Sequence, residues 1–184
     1  MSGETTLITE TAGIHEANAN DSLMVIQHRS MDFNGVKTGF YKDNELTNEI
    51  PDHSETPNIT LNYFFHKSGE LDLETAILLP TYHNGETTLP VLLDPYGGPH
   101  AQRVRKARGL FGVSQWFADQ GFAVVITDGR GTPGRSPNFE REVYGDLATH
   151  ALTDQIDALH SISANYDFID LDRVAIRGWS FGGY

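Results

Sequence analysis

Residues 89–184 predict an α/β protein whose parallel sheet is covered on both faces, with antiparallel β-structure in front of it. Three observations carry this expectation. Val91-Leu92-Leu93, Phe122–Thr127 and Arg173–Arg177 are short apolar runs of the kind that forms strands buried on both faces. Longer segments of helical character separate them, and that alternation builds parallel sheets. Before residue 80 the runs are β-prone and separated by turn-forming residues instead.

In the first half, Thr6–Thr9, Leu23–His28 and Val36–Tyr41 are the strand candidates. Gly13, Asn18–Asp21, Asn34-Gly35 and Lys42–Asn44 are the turns between them. The pattern suits part of a propeller blade or, alternatively, an antiparallel edge of the next domain. Ile59–His66 and Leu71–Leu79 follow as a strand pair with Ser68-Gly69 between them as a hairpin turn. The junction between the two halves is expected in the polar stretch Asn48–Asn58.

In the second half, one helix is expected from about Gln102 to Gln120, stopped by Gly121, and another from about Val143 to Asn165. Leu152, Ile156, Leu159 and Ile162 recur at helical spacing and predict one buried apolar stripe. Asp128–Arg135 is a glycine-rich loop at the end of a strand. It lacks the Gly-Lys-Ser/Thr ending of a phosphate loop, so a tight turn bordering the site is expected, with Arg130 within reach of substrate.

Composition narrows the function classes. The chain has 184 residues, 39% of them hydrophobic and 21% charged, a globular balance. The formal net charge of −12 argues against nucleic acid and anionic membranes as partners. There is no cysteine, which removes disulfides, thiolate chemistry and zinc-finger sites. Met1–Ala12 holds no apolar signal-peptide core, and no run is long enough to span a bilayer. A cytoplasmic location is the expectation. Asp154, Asp157 and His160 could share a helix face, but they make no compact ligand set, so neither metal nor cofactor is expected.

The chemistry is concentrated in the last seven residues, Gly178-Trp179-Ser180-Phe181-Gly182-Gly183-Tyr184. Gly178, Ser180 and Gly182 make a Gly-x-Ser-x-Gly pattern directly after an apolar strand, where a nucleophile elbow of the α/β-hydrolase type must lie. Such an elbow holds the serine in a strained turn and needs glycines where side chains would meet backbone. The amide of Phe181, at the start of the following helix, is a ready donor to an oxyanion. A serine hydroxyl also needs a base. No acidic residue and no histidine follows Ser180.

Four motifs then occur in order: Asp94–His100, Asp128–Gly131, Asp154–Asp157 and Gly178–Tyr184. Together they resemble the catalytic domain of the prolyl oligopeptidase family, in its dipeptidyl peptidase IV branch. The resemblance implies the end of a β-propeller over residues 1–50 and the N-terminal part of an α/β-hydrolase domain over 51–184. It implies Ser180 as nucleophile, Tyr96 as a hydroxyl donor in the oxyanion hole, and Phe181 as the second donor through its amide. The Phe181 ring would help wall an apolar pocket for proline, and Trp179 would pack. A peptide substrate is implied, cleaved after proline or a similar small residue through an acyl-enzyme, and a homodimer is compatible with the parent. The family's Asp and His lie beyond position 184, so the chain is expected to be a fragment ending at the elbow and inactive alone. An esterase or lipase of the same fold, or a non-catalytic remnant, are the alternatives.

Overall fold

A computed structural model describes residue 3 and residues 5–184. Two compact units divide the chain. The first runs to Asn58 and includes Arg105–Leu110; the second holds Ile59–Val104 and Phe111–Tyr184.

The first unit is a four-stranded antiparallel meander of β1 (Ile14–Ala19), β2 (Met24–Arg29), β3 (Lys37–Lys42) and β4 (Glu45–Ile50), paired in chain order. Four antiparallel strands are a full propeller blade in size. The β1–β2 turn is closed by Asn20 Oδ1, which accepts from the amides of Ser22 (3.0 Å) and Leu23 (2.9 Å). Asp43 (φ 52°) and Asn44 (φ 64°) make the two-residue β3–β4 turn, where only residues that tolerate the left-handed region serve. The predicted strand at Thr6–Thr9 does not form. Leu7 is 78% exposed, so nothing rewards its pairing. Two polar strands take its place: β1 and β4 are recruited from sequence that reads as turn and linker, because β2 and β3 each offer a free ladder edge. Residues 51–62 carry no regular structure, so the change of unit falls within that stretch and eight residues past 50.

The second unit is built on a mixed sheet of β5 (Tyr63–Ser68), β6 (Leu73–Leu78), β7 (Leu89–Leu93), β8 (Ala123–Asp128) and β9 (Ile169–Ile176), in the order β5-β6-β8-β7-β9. β5 and β6 form an antiparallel hairpin, and β6 runs antiparallel to β8. β7 lies between β8 and β9 and is parallel to both. The hairpin register Ser68↔Leu73 places the turn at Gly69–Asp72 rather than at Ser68-Gly69, and β5 begins four residues later than expected.

Alternation across the sheet sends Ile77, Val91, Leu93, Ala123 and Val125 to one face, where Ile162 of a long helix closes the core. That helix, α3 (Thr149–Asn165), starts later than predicted. Gly145 (φ 85°) breaks the chain before it, and Asp146 Oδ1 accepts from the amides of Ala148 (3.1 Å) and Thr149 (2.9 Å). A separate short helix, α2 (Pro137–Arg141), precedes the break; Ser136 caps it and Pro137 opens it. The expected stripe on α3 splits. Asp154, Gln155, Ala158 and Ile162 are buried, whereas Leu152 and Ile156 are exposed. Polar residues win the inner face because each has a bonding partner there: Gln155 Nε2 donates to Thr127 O at 3.2 Å.

The helix expected over Gln102–Gln120 shrinks to α1 (Gly112–Ala118), preceded by a 3-10 turn at Arg108–Phe111. Upstream, the amides that would open the helix are taken by a side chain. Arg103 N–H and Val104 N–H both donate to the Asp128 carboxylate, at 2.9 Å each. Gly121 (φ 101°) ends the segment as predicted. No helix among the described residues is long and apolar enough to cross a membrane.

Candidate active site

The loops at the carboxyl ends of β7 and β9 form the candidate site, at the edge of the sheet expected for an open α/β fold. Their anchor is the ladder between β7 and β9, in which Leu93 pairs with Ile176 and Arg177 N–H donates to Leu93 O at 2.9 Å. Past that bond β9 turns sharply through Gly178 and Trp179 into a 3-10 turn at Ser180–Gly183. Ser180 sits at φ 57°, a left-handed conformation that strains any residue with a Cβ. The bend is held by Gly182 N–H donating to Trp179 O (3.1 Å) and Tyr184 N–H to Phe181 O (3.0 Å).

The flanking glycines are required by contact. A Cβ on Gly178 would overlap the backbone of Gly182, and one on Gly182 would overlap the Pro95 carbonyl. The second of these packs the elbow directly against the loop after β7. That loop, Asp94–Gly98, carries Tyr96, whose ring centroid lies 5.9 Å from that of Phe181. The Phe181 ring lies on Gly98, where a Cβ would run into it. Sequence reasoning brings Ser180, Tyr96 and Phe181 together, and in the structure their two loops touch. Ser180 is exposed, and no histidine or carboxylate bonds to it among the described residues.

An apolar groove of about 370 Å³ opens beside the elbow, lined by Tyr96, Leu152, Ile156, Ile176, Phe181 and Tyr184. This is where the two exposed residues of the split α3 stripe go. A second, more open cavity of about 850 Å³ is lined by His100, Arg141, Tyr144 and Tyr184, among others. Trp179 does not pack: it is 79% exposed, because the tight turn that lifts Ser180 also throws its neighbour outward.

The charged residues of the motifs do structural work. Arg130 donates from Nη2 (2.6 Å) and Nε (2.9 Å) to Asp154 Oδ1, and its own N–H donates to Oδ2 at 2.6 Å. This hydrogen bonding raises the Arg130 pKa above its ordinary value. Arg130 is therefore occupied with α3 and does not reach toward substrate, and Asp154 is spent in the same pair. Asp128 closes β8 and holds the Arg103–Val104 amides; its pKa is raised by burial, against the pull of those hydrogen bonds. Asp94, 2% exposed, accepts from Arg103 Nη2 (2.8 Å) and Ser114 Oγ (3.1 Å) and faces Arg177 Nε at 3.5 Å. Sequence reasoning missed this last cluster. A signal was there: Asp94 and Asp128 each close an apolar run, a position where an acid must find partners or stay wet.

Comparison with known proteins fits this geometry. The sequence description of the Prolyl oligopeptidase family matches residues 110–184. Over that stretch, less than half of its length, the chain is similar to the prolyl oligopeptidase family. Among curated relatives of this chain, Prolyl endopeptidase FAP of Mus musculus is 32% identical over 118 residues, 64% of this chain and 15% of that protein. Dipeptidyl peptidase 8 of Mus musculus is 40% identical over 98 residues, 52% of this chain and 11% of that protein. Dipeptidyl peptidase family member 2 of Caenorhabditis elegans is 31% identical over 130 residues, 71% of this chain and 16% of that protein. The chain thus matches about a sixth or less of each relative's length. In fold, it matches the crystal structure of Porphyromonas gingivalis dipeptidyl peptidase 4 with a TM-score of 0.84 at 24% identity, over 99% of this chain and 27% of that one. The fold is that of a fragment of a propeller-plus-α/β-hydrolase protein.

Proposed function

We propose that this chain carries the nucleophile and oxyanion elements of a serine peptidase that cleaves peptides after proline in the dipeptidyl-peptidase manner. The observation that carries the reading is Ser180 held at φ 57° in Gly-x-Ser-x-Gly at the end of β9, with its turn packed on the Tyr96 loop. Ser180 Oγ attacks the scissile carbonyl carbon, and its proton passes through a base to the leaving amine. Water then hydrolyses the acyl-enzyme by the same route in reverse. The Tyr96 hydroxyl and the Phe181 amide steady the negative oxygen of each tetrahedral intermediate, and losing one such donor costs about 100- to 1000-fold in rate. The apolar groove beside Phe181 suits a proline ring.

The base is the missing part among the described residues. An unassisted serine hydroxyl is a poor nucleophile at neutral pH, so the 184-residue chain by itself is inactive in this reading. The test uses the purified chain with a Gly-Pro amide reporter and a short acyl ester, with and without added imidazole as a replacement base. Background turnover alone, with slow imidazole-dependent turnover that vanishes in Ser180→Ala, supports the reading. Turnover that survives Ser180→Ala contradicts it. Rescue confined to the acyl ester points to an esterase.

A further inference from the structure

Arg177 immediately precedes the elbow, and neither the nucleophile nor the oxyanion donors account for it. Because Leu93 and Ile176 are ladder partners, the next residues, Asp94 and Arg177, leave the sheet side by side. Asp94 Oδ1 faces Arg177 Nε at 3.5 Å and accepts from Arg103 Nη1 at 3.4 Å, while Arg103 Nη2 and Ser114 Oγ donate to Oδ2. The Arg177 guanidinium lies 4.5 Å from the centroid of the Phe117 ring on α1. Its Nη1 is buried with no acceptor among the described residues. A buried donor left unfilled is costly, and a surface arginine would avoid it. Arg173, on β9, does so: it is half-exposed, and its partner among the described residues is Asp170, three residues away.

From Asp94 the chain reaches Tyr96 in two residues, and from Arg177 it reaches Ser180 in three. One ion pair, its carboxylate buried and its guanidinium partly so, therefore ties the two loops that carry the proposed chemistry. We propose that Arg177 is a positioning residue. Paired with Asp94 and seated on Phe117, it holds the Ser180 elbow in register with the Tyr96 loop. What those two loops accomplish rests on the peptidase reading above; the clamp itself is measurable without any hydrolysis.

The test is hydrogen–deuterium exchange on the 184-residue chain, comparing residues 95–98 and 177–184 with β6 and β8. Arg177→Met and Asp94→Asn should each speed exchange in both loop segments by about ten-fold while β6 and β8 stay protected. The double variant should add little to either single change, because the two residues act as one unit. Arg177→Lys should restore most of the protection, since it keeps the charge. In a Trp116→Phe background Trp179 is the sole indole, and its emission should shift in Arg177→Met and return in Arg177→Lys. Loosening of 177–184 with 95–98 unchanged overturns the clamp, as does equal loosening of β6 and β8. Should Arg177→Met fail to fold, Asp94→Asn and Arg177→Lys decide the matter on the same segments. Turnover that survives Ser180→Ala while the exchange pattern holds refutes the catalytic reading alone.

Discussion

β8 and β9 flank the same strand and run parallel to it, yet they live in different environments, and β9 mixes Asp170, Asp172 and Arg173 with its apolar residues. Every residue of β8 is buried. In β9 only Ile169 is buried, and Ile176 is 65% exposed. β8 has a strand on each side and packs against α1 and α3, whereas β9 has one strand neighbour among the described residues. Apolar sequence specifies that a segment pairs; the number of neighbours decides how much water it sheds. The contrast extends to the loops. The end of β8 is bound down by Asp128 and by the Arg130–Asp154 pair, while the end of β9 holds a strained serine in the open. The proposed function sits on the less protected of the two, which is the usual placing of strain.

This contrast can be tested at matched residues. Ile126→Ala in β8 should cost about 3 kcal/mol, because it empties a site that cannot collapse. Ile176→Ala in β9 should cost well under about 1 kcal/mol, since that side chain already meets water. Equal losses in urea unfolding would mean that β9 is covered in solution. Next in size, Asp154→Asn should cost about 2 kcal/mol by leaving the Arg130 guanidinium without its ionised partner; an unchanged unfolding midpoint would place that pair in solvent. Ser180→Gly should act in the opposite direction, raising stability by about 1 kcal/mol as the left-handed strain is relieved, while removing the nucleophile. A destabilised Ser180→Gly chain would argue that the elbow is relaxed.

The smallest effect is a pH dependence at the end of β8. Burial raises the folded-state pKa of Asp128, so its charged form costs stability above that pKa, and the cost is relieved as pH falls through it. Asn at this position mimics the protonated form. The melting temperature of Asp128→Asn relative to the parent should therefore be more favourable at neutral pH than in acid. A difference that is flat or runs the other way would show that the Arg103 and Val104 amides outweigh burial. The carboxylates of Asp146 and Asp170 have the opposite sign. Hydrogen bonds lower their pKa values, so their contribution is present above the ordinary carboxylate range and fades as pH falls.

The strands of the second unit were legible because continuous apolar runs leave few alternatives, and the elbow because only glycine fits at 178 and 182. The helices were less so. The predicted start at Gln102 failed because Asp128, distant in sequence, captures the amides of Arg103 and Val104. The stripe on α3 failed because hydrogen-bonding partners inside the fold let Asp154 and Gln155 displace Leu152 and Ile156 from the inner face.

Local chemistry in the sequence determined which segments extend, where glycine is obligatory, and that a serine follows a strand at a forced bend. The tertiary structure alone decided that β9 pairs beside β7, that Arg130 serves Asp154, and that Arg177 meets Asp94. Those outcomes depend on which charged groups the sheet order brings within bonding distance, and a buried charge is tolerated only where that distance is short.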